Sequence, residues 1–529
     1  MMEDIQSQKV VSIGGLNSNV NHIQLSDNEP GSAVDLQNFE ASLFGGYRRI
    51  NGYTYLAPST PEVDSADAEG RILTVAFYQD DIIAARKQKA GNTYDFYQFN
   101  GTGWTKLVTG YTLSSVGVDR IRFVEFNFNG TPKICFVDGV NPAILYDGST
   151  WSQITAAHTG ANYANAGGNQ AIDTPSYVSV FKNTLFLAGD HLVVYSAPLA
   201  EYDFTAASGA GQLPAGYIVV QIKPFRDTLY VFGTNNIKKV EVSGTDFVLN
   251  DVTANIGCLA PDSVQEIDGD LIFLSQDGIR PISGTNRIGD VQLEVVSKKI
   301  QRLLIEEVTT NDMGELCSVL IRSKSQVRFF LSSPDKTAGD TFGIIGCLRD
   351  YPDGGIGWEW GRLKGFNASC AASKYIGASE FVIHGDYDGF VYRQESGNTM
   401  NDNPIESIYT MPFLDFGDAG VRKTMRKIRL FVRPEGFMNI NARLVYDWED
   451  PIKLNPDTYA IESDVAGGSS TYGSAVYGTA TYSGGKTPVL ISNVEGSGFS
   501  VQIKYSSVDT NPSYTIQGTL FEFHTEGRK

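Results

Sequence analysis

From residue 71 onward the apolar positions recur with a period of two rather than 3.6, the signature of half-buried strands. "RILTVAFYQDDIIAARKQ" predicts a strand pair turning at Asp80-Asp81, and "TYDFYQFNGTGWTKLV" adds a strand, a turn at Asn100-Gly101 and another strand. The same order returns in "DRIRFVEFNFNGTPKICFVDGVNPAILYDGSTWSQI", and "FNGTGWTKL" and "YDGSTWSQI" are near copies about 45 residues apart. Weaker units follow at 177–205, 217–249 and 263–284, then in "CSVLIRSKSQVRFFLSS" with "DYPDGGIGWEWGRL", and at 370–394. Repetition every ~40–50 residues with about four strands per unit predicts propeller blades, because one blade cannot bury both faces of its sheet and a ring of blades can. The expected fold is therefore all-β, a β-propeller-like domain of about six to seven blades with a C-terminal β-sandwich. Trp104 and Trp151, each following its turn by a similar count, are expected at equivalent places in adjacent blades. Trp358 and Trp360 are expected to pack over a blade edge in the same way.

The pattern also divides the chain. Residues 1–70 read as an N-terminal extension with propeller-closing strands, 71–403 as the platform, and 404–529 as the sandwich. The Gly/Ser/Tyr-rich run 464–487 reads as an irregular arm within the last region. One helix is predicted, "LEVVSKKIQRLLIEEV" at 293–308, with Val296, Ile300, Leu303 and Leu304 on one face. In the basic strand "VRKTMRKIRLFVRP", Ile428, Leu430 and Val432 fall on one side and Lys427, Arg429 and Arg433 on the other. That second side is either a solvated face or a contact for an acidic partner or DNA.

Charge narrows the classes of function. The 529-residue chain carries a formal net charge of −18, which disfavours broad nucleic-acid affinity through phosphate neutralisation. The cysteines Cys135, Cys258, Cys317, Cys347 and Cys370 are odd in number and form no CxxC pair, so they read as buried free thiols of a protein folded in a reducing cytoplasm. Neither a signal peptide nor a membrane span is expected. The five histidines fall in no HExxH or HxH pattern, and no GxxxxGK[ST] loop occurs. "GDYDGF" at 385–390 lacks the later acid of a calcium loop and reads as a hairpin turn at Asp388-Gly389. "YDGSTW" lacks the Asp–Gly spacing of an Asp-box. No catalysis, cofactor or metal is expected, although a glycosidase-type carboxylate pair is not something sequence spacing alone can reveal.

The opening "GGLNSNVNHIQLSDNEPGSAVDLQNFEASLFGGYRRINGYT" resembles the N-terminus of tail nozzle proteins of short-tailed bacteriophages, also called tail hub, tail tubular B or packaged-DNA stabilisation proteins. The resemblance rests on Leu36-Gln37-Asn38 and on Gly46, Arg48, Arg49 and Gly52. It continues in order through "YVSVFKNTLFLAGDHLVVYSAPLAEYDF", "IKPFRDTLYVFGTNNIKKVE" and "NIGCLAPDSVQEIDGDLIFLSQDGIRPI". It implies a virion tail component, assembled in the host cytoplasm as a homo-oligomeric ring, typically a hexamer. The implied partners are a head-to-tail adaptor above, tail fibre or tailspike, needle or tip proteins, and genomic DNA in transient, non-specific passage. Partner or channel contacts are expected among Arg48, Arg49, Arg422, Lys423, Lys427, Arg429 and Arg433. The alternative is a propeller-type carbohydrate-binding or glycoside-degrading tail protein.

Overall fold

Each unit of the alternating pattern folds as an antiparallel sheet whose first strand lies innermost and pairs on one side only. A computed structural model describes residues 5–59, 70–88, 91–155, 170–244, 246–285, 295–332, 341–351, 355–450, 455–463 and 488–526. Six sheets belong to the ring alone, each forming a propeller blade of its own. The first is Ile72–Tyr78, Asp81–Lys87, Tyr94–Phe99 and Trp104–Leu107, and the second runs from Arg122–Phe126 to Trp151–Gln153. The next three start at Tyr177–Phe181, Gln221–Phe225 and Gln265–Ile267, the last of these having three strands. The sixth starts at Ala368–Ile376. Between the fifth and sixth, Leu316–Ile321 to Ile356–Leu363 fill a further sector, and these four strands form one end of a nine-stranded sheet.

The repeat is visible at atomic detail. Asn100 Oδ1 accepts from the N–H of Gly103 at 2.8 Å, and Asp147 Oδ1 accepts from the N–H of Thr150 at 2.7 Å. The following tryptophans begin the outermost strands of their blades, Trp104 opposite Phe99 and Trp151 opposite Tyr146. Both are half-buried, and each packs between its own blade and the preceding one.

The N-terminal strands are shared out among the sheets. Tyr53–Tyr55 completes the sixth blade by pairing with Val391–Gln394, so residues far apart in sequence close the ring. Asp35–Gln37 sits within the nine-stranded sheet, between Ile356–Leu363 and Ile405–Thr410, and joins the ring sector to the sandwich. Phe39–Ala41 and Tyr47–Arg49 belong to the other, seven-stranded sheet with Tyr514–Thr525 and Lys423–Pro434. The residue between, Asn38, adopts φ +55°, and its side chain binds the Glu406 carbonyl and the Lys364 N–H, holding the turn that moves the chain from one sheet to the other. The sandwich core forms where Ile428, Leu430, Val432, Ile516 and Phe521 meet Ile440, Leu444, Ile503 and Tyr505, all buried in one cluster. Gly31 lies against the Val11 carbonyl, where a side chain would collide.

Three expectations are revised. The predicted helix starts later, at Gln301–Thr310 after a 3-10 turn at Lys298–Ile300, because the Val296 N–H is already committed to the Ile279 carbonyl at 3.0 Å. Ile300 and Leu304 are buried as expected, while residues 293 and 294 lie outside the described set. A second helix, His22–Asn28, is capped by Asn21, whose side chain accepts from the Gln24 N–H at 2.9 Å. Trp358 and Trp360 stack at 5.1 Å within the nine-stranded sheet, and buried Trp360 packs into the sandwich core rather than over a blade edge. The arm at 464–487 lies outside the described residues. The five cysteines are all buried and free.

Candidate functional site

The hairpin Phe39–Ala41 and Tyr47–Arg49 projects from the seven-stranded sheet. Its tip turns through Gly45 and Gly46, both near φ +87° to +88°, and Gly46 lies against the Ile516 carbonyl, so a side chain there has no room. The tip places Leu43 and Phe44 outward, 60% and 75% exposed. Beneath them is a recess of about 320 Å³ lined by Glu40, Arg48, Lys324, Arg433 and Glu435, among others. Arg48 forms a two-point pair with Glu435, Nε to Oε1 at 2.6 Å and Nη2 to Oε2 at 2.8 Å, and its Nη1 reaches Glu40 at 2.9 Å. Arg433 lies over the Phe44 ring, its guanidinium carbon 4.7 Å from the ring centre.

The floor of the recess is a charge network between the sandwich and the ring. Lys324 bridges Glu40 at 2.7 Å and Glu395 at 2.5 Å, and fully buried Arg328 also pairs with Glu395. Burial alone raises the Glu395 pKa, but Arg328 and Lys324 outweigh it and hold the carboxyl well below the usual range. The network joins elements far apart in sequence through groups that lose solvation on burial, so each depends on the others for compensation.

The remaining candidates serve different purposes. Arg49 is fully buried against Asp509. Lys423 is buried and donates to the carbonyls of Asp418 and Phe499. Arg422 is half-buried. Lys427 and Arg429 lie on the outward side of their strand, and Arg429 Nε binds Glu522 at 2.7 Å. Arg426, not among the residues singled out from sequence, is exposed beside them with Nη1 2.7 Å from His524 Nε2. Of the seven candidates, the structure thus brings Arg48 and Arg433 together at one recess and uses Arg49 and Lys423 internally.

A second feature was not evident from sequence. The innermost strands of every sector surround an axial cavity of about 370 Å³. Its charged lining consists of Arg120, Arg122, Lys223, Asp262 and Arg322, from four separate stretches of chain. Asp262 accepts from Arg120 Nη1 at 2.9 Å and from Arg122 Nε and Nη2 at 2.9 and 2.8 Å. Burial raises the Asp262 pKa, but the two guanidinium groups prevail and lower it. Arg120 further anchors the carbonyls of Leu316 and Ser369, locking adjacent sectors together. Burial lowers the Lys223 pKa. No spacing rule connects these positions in the sequence, because only ring closure makes them neighbours.

No family model matches the chain, and no curated protein matches it. Among solved structures, Raptor from Chaetomium thermophilum aligns with a TM-score of 0.36 and 10% identity, over 70% of this chain and 30% of that one. An ancestral GH74 enzyme aligns with a TM-score of 0.40 and 12% identity, over 67% of this chain and 54% of that one. The chain therefore spans well under two thirds of either structure, and at these identities the likeness concerns fold alone.

Proposed function

We propose that this chain is a structural subunit of the tail nozzle of a short-tailed bacteriophage. Copies assemble as a ring, a hexamer, below the portal and adaptor, hold the packaged genome and release it through a central channel. Tail fibre or spike proteins and tip proteins dock on the same assembly, and the chain itself catalyses no reaction.

The observation that carries this reading is the hairpin at 39–49. The ordered resemblance to nozzle proteins begins in this part of the chain, and the hairpin presents Leu43 and Phe44 to solvent above a charge network satisfied internally. Two large apolar side chains held outward on a short hairpin gain free energy only when another molecule covers them. A second copy of the chain is the occupant this reading assigns. Light scattering and negative-stain imaging of the purified chain, alone and with its adaptor, test it. Closed rings with a central opening are expected; a monomer under every condition, or turnover of a polysaccharide by the isolated chain, overturns it.

A further inference from the structure

The axial cavity inverts the charge of the molecule around it. The chain carries −18 overall, yet four cations, Arg120, Arg122, Lys223 and Arg322, face a single carboxylate, Asp262, at the cavity wall. Asp262 is already engaged by Arg120 and Arg122. The Lys223 ammonium makes no hydrogen bond or ion pair among the described residues, and only the fields of Asp262 and Glu266 favour its charge. The Arg322 guanidinium has one long contact, 3.4 Å to Ser373 Oγ. The nearby Glu380 binds the backbone N–H groups of Arg322 and Ser323 instead. Two cations therefore converge on a recess without a carboxylate partner of their own, Lys223 half-buried and Arg322 exposed, and the half-buried ammonium is costly there until an anion enters.

The surrounding backbone adds to the effect. The first strand of each sector is paired on one side only, so its other edge faces the axis. Ser179, Ser318 and Ser373 add hydroxyls to the wall. A volume of about 370 Å³ lies within the range of small-molecule sites.

We infer that the axial cavity is a binding site for a small polyvalent oxyanion, a compound bearing phosphate or several carboxylates, with Lys223 and Arg322 as its primary contacts. The site is independent of ring assembly, since every one of its residues lies in one chain. Arg120 and Arg122 hold Asp262 and the neighbouring sectors and are positioning residues.

Isothermal titration of the full chain at pH 7 with citrate and, separately, with inorganic phosphate, at fixed ionic strength, tests the assignment. Saturable binding of one anion per chain is expected, and the tighter of the two identifies whether carboxylate or phosphate chemistry is preferred. Lys223→Met is expected to weaken it about tenfold and Lys223→Met with Arg322→Gln to abolish it, as loss of charge-assisted contacts requires. Arg429→Gln on the outer face is expected to bind as the unaltered chain does. A second measurement needs no variant: citrate or phosphate should slow acetylation of Lys223 in the unaltered chain, read by mass spectrometry, and leave Lys427 unprotected. Absence of binding by both anions, retention of binding in the double variant, an equal loss in Arg429→Gln, or unprotected Lys223 overturns the inference.

Discussion

Arg49 Nη1 lies 2.5 Å from Asp509 Oδ1, a pair that joins the N-terminal hairpin to the end of the strand Val501–Asp509, 460 residues away. Arg49 Nη2 also donates to the carbonyls of Asp509 and Asn511, so the guanidinium is a fully buried clamp. Arg49→Met leaves those acceptors unpaired and should destabilise the chain by about 3 kcal/mol, as breaking a buried pair does. Asp509→Asn, which keeps a neutral acceptor, should cost less. Chemical unfolding of both variants checks the order, and equal stability to the unaltered chain would remove the clamp from the account.

Asp386 and His384 lie on one strand beside Tyr392, and burial moves their pKa values in opposite directions. Asp386 rises from 3.8 to about 6, chiefly by burial. Its contribution to stability is fully present below about pH 4 and is lost as pH rises through 6, on the order of 3 kcal/mol. His384 falls from 6.5 to about 3, by burial and then by Arg328. Its contribution is present above pH 6.5 and is lost as pH falls toward 3. Asp386→Asn should therefore gain stability relative to the unaltered chain as pH rises from 4 to 6, and His384→Phe should gain as pH falls through the same range. Parallel curves for both variants across pH 4–7 would contradict the assignment.

Trp104 and Trp151 occupy equivalent positions with unequal partners. Trp151 stacks on Tyr146 at 4.5 Å and packs against Phe96 at 4.8 Å, whereas Trp104 has Phe99 at 5.6 Å and a buried Nε1 without a partner among the described residues. Trp151→Ala should cost about 3 kcal/mol and Trp104→Ala about 2, by lost burial and ring contacts. Thermal unfolding of the two variants decides between this order and its reverse.

Phe44→Ser should leave folding intact, since the ring is exposed and its loss lies within the ~0.5 kcal/mol expected of surface changes. On the proposed function it should shift rings toward smaller species in light scattering. Rings of unchanged size and stability would place the subunit contact elsewhere.

Short DNA duplexes should bind weakly and without sequence preference at physiological salt, because −18 per chain leaves repulsion within a screening length of ~8–10 Å. Replacing Lys427, Arg429 and Arg433 by Gln should weaken the residual binding and flatten its salt dependence. Tight, sequence-dependent binding in a salt titration would reverse this expectation and assign the basic strand a recognition role.

What the sequence determined by itself is the local part of this architecture. Alternation along "RILTVAFYQ" or "TLFLAG" is a property of a strand and its immediate neighbours, so blades and hairpins were legible from period two, and the two tryptophan turns from short, nearly repeated strings. The inward Ile428, Leu430 and Val432 and outward Lys427, Arg429 and Arg433 follow from the same geometry. Only the tertiary structure decided which strand completes which sheet. Tyr53–Tyr55 closing the last blade, Asp35–Gln37 linking ring and sandwich, and the burial of Arg49 depend on contacts hundreds of residues apart. Charge makes the same point. A basic pair such as Arg48-Arg49 looks uniform in sequence, yet its successive side chains point to opposite faces of the sheet, one toward the recess and one into the interior. The cationic axis is the extreme case: Arg120, Lys223 and Arg322 share no local pattern, and only closure of the ring brings their charges together.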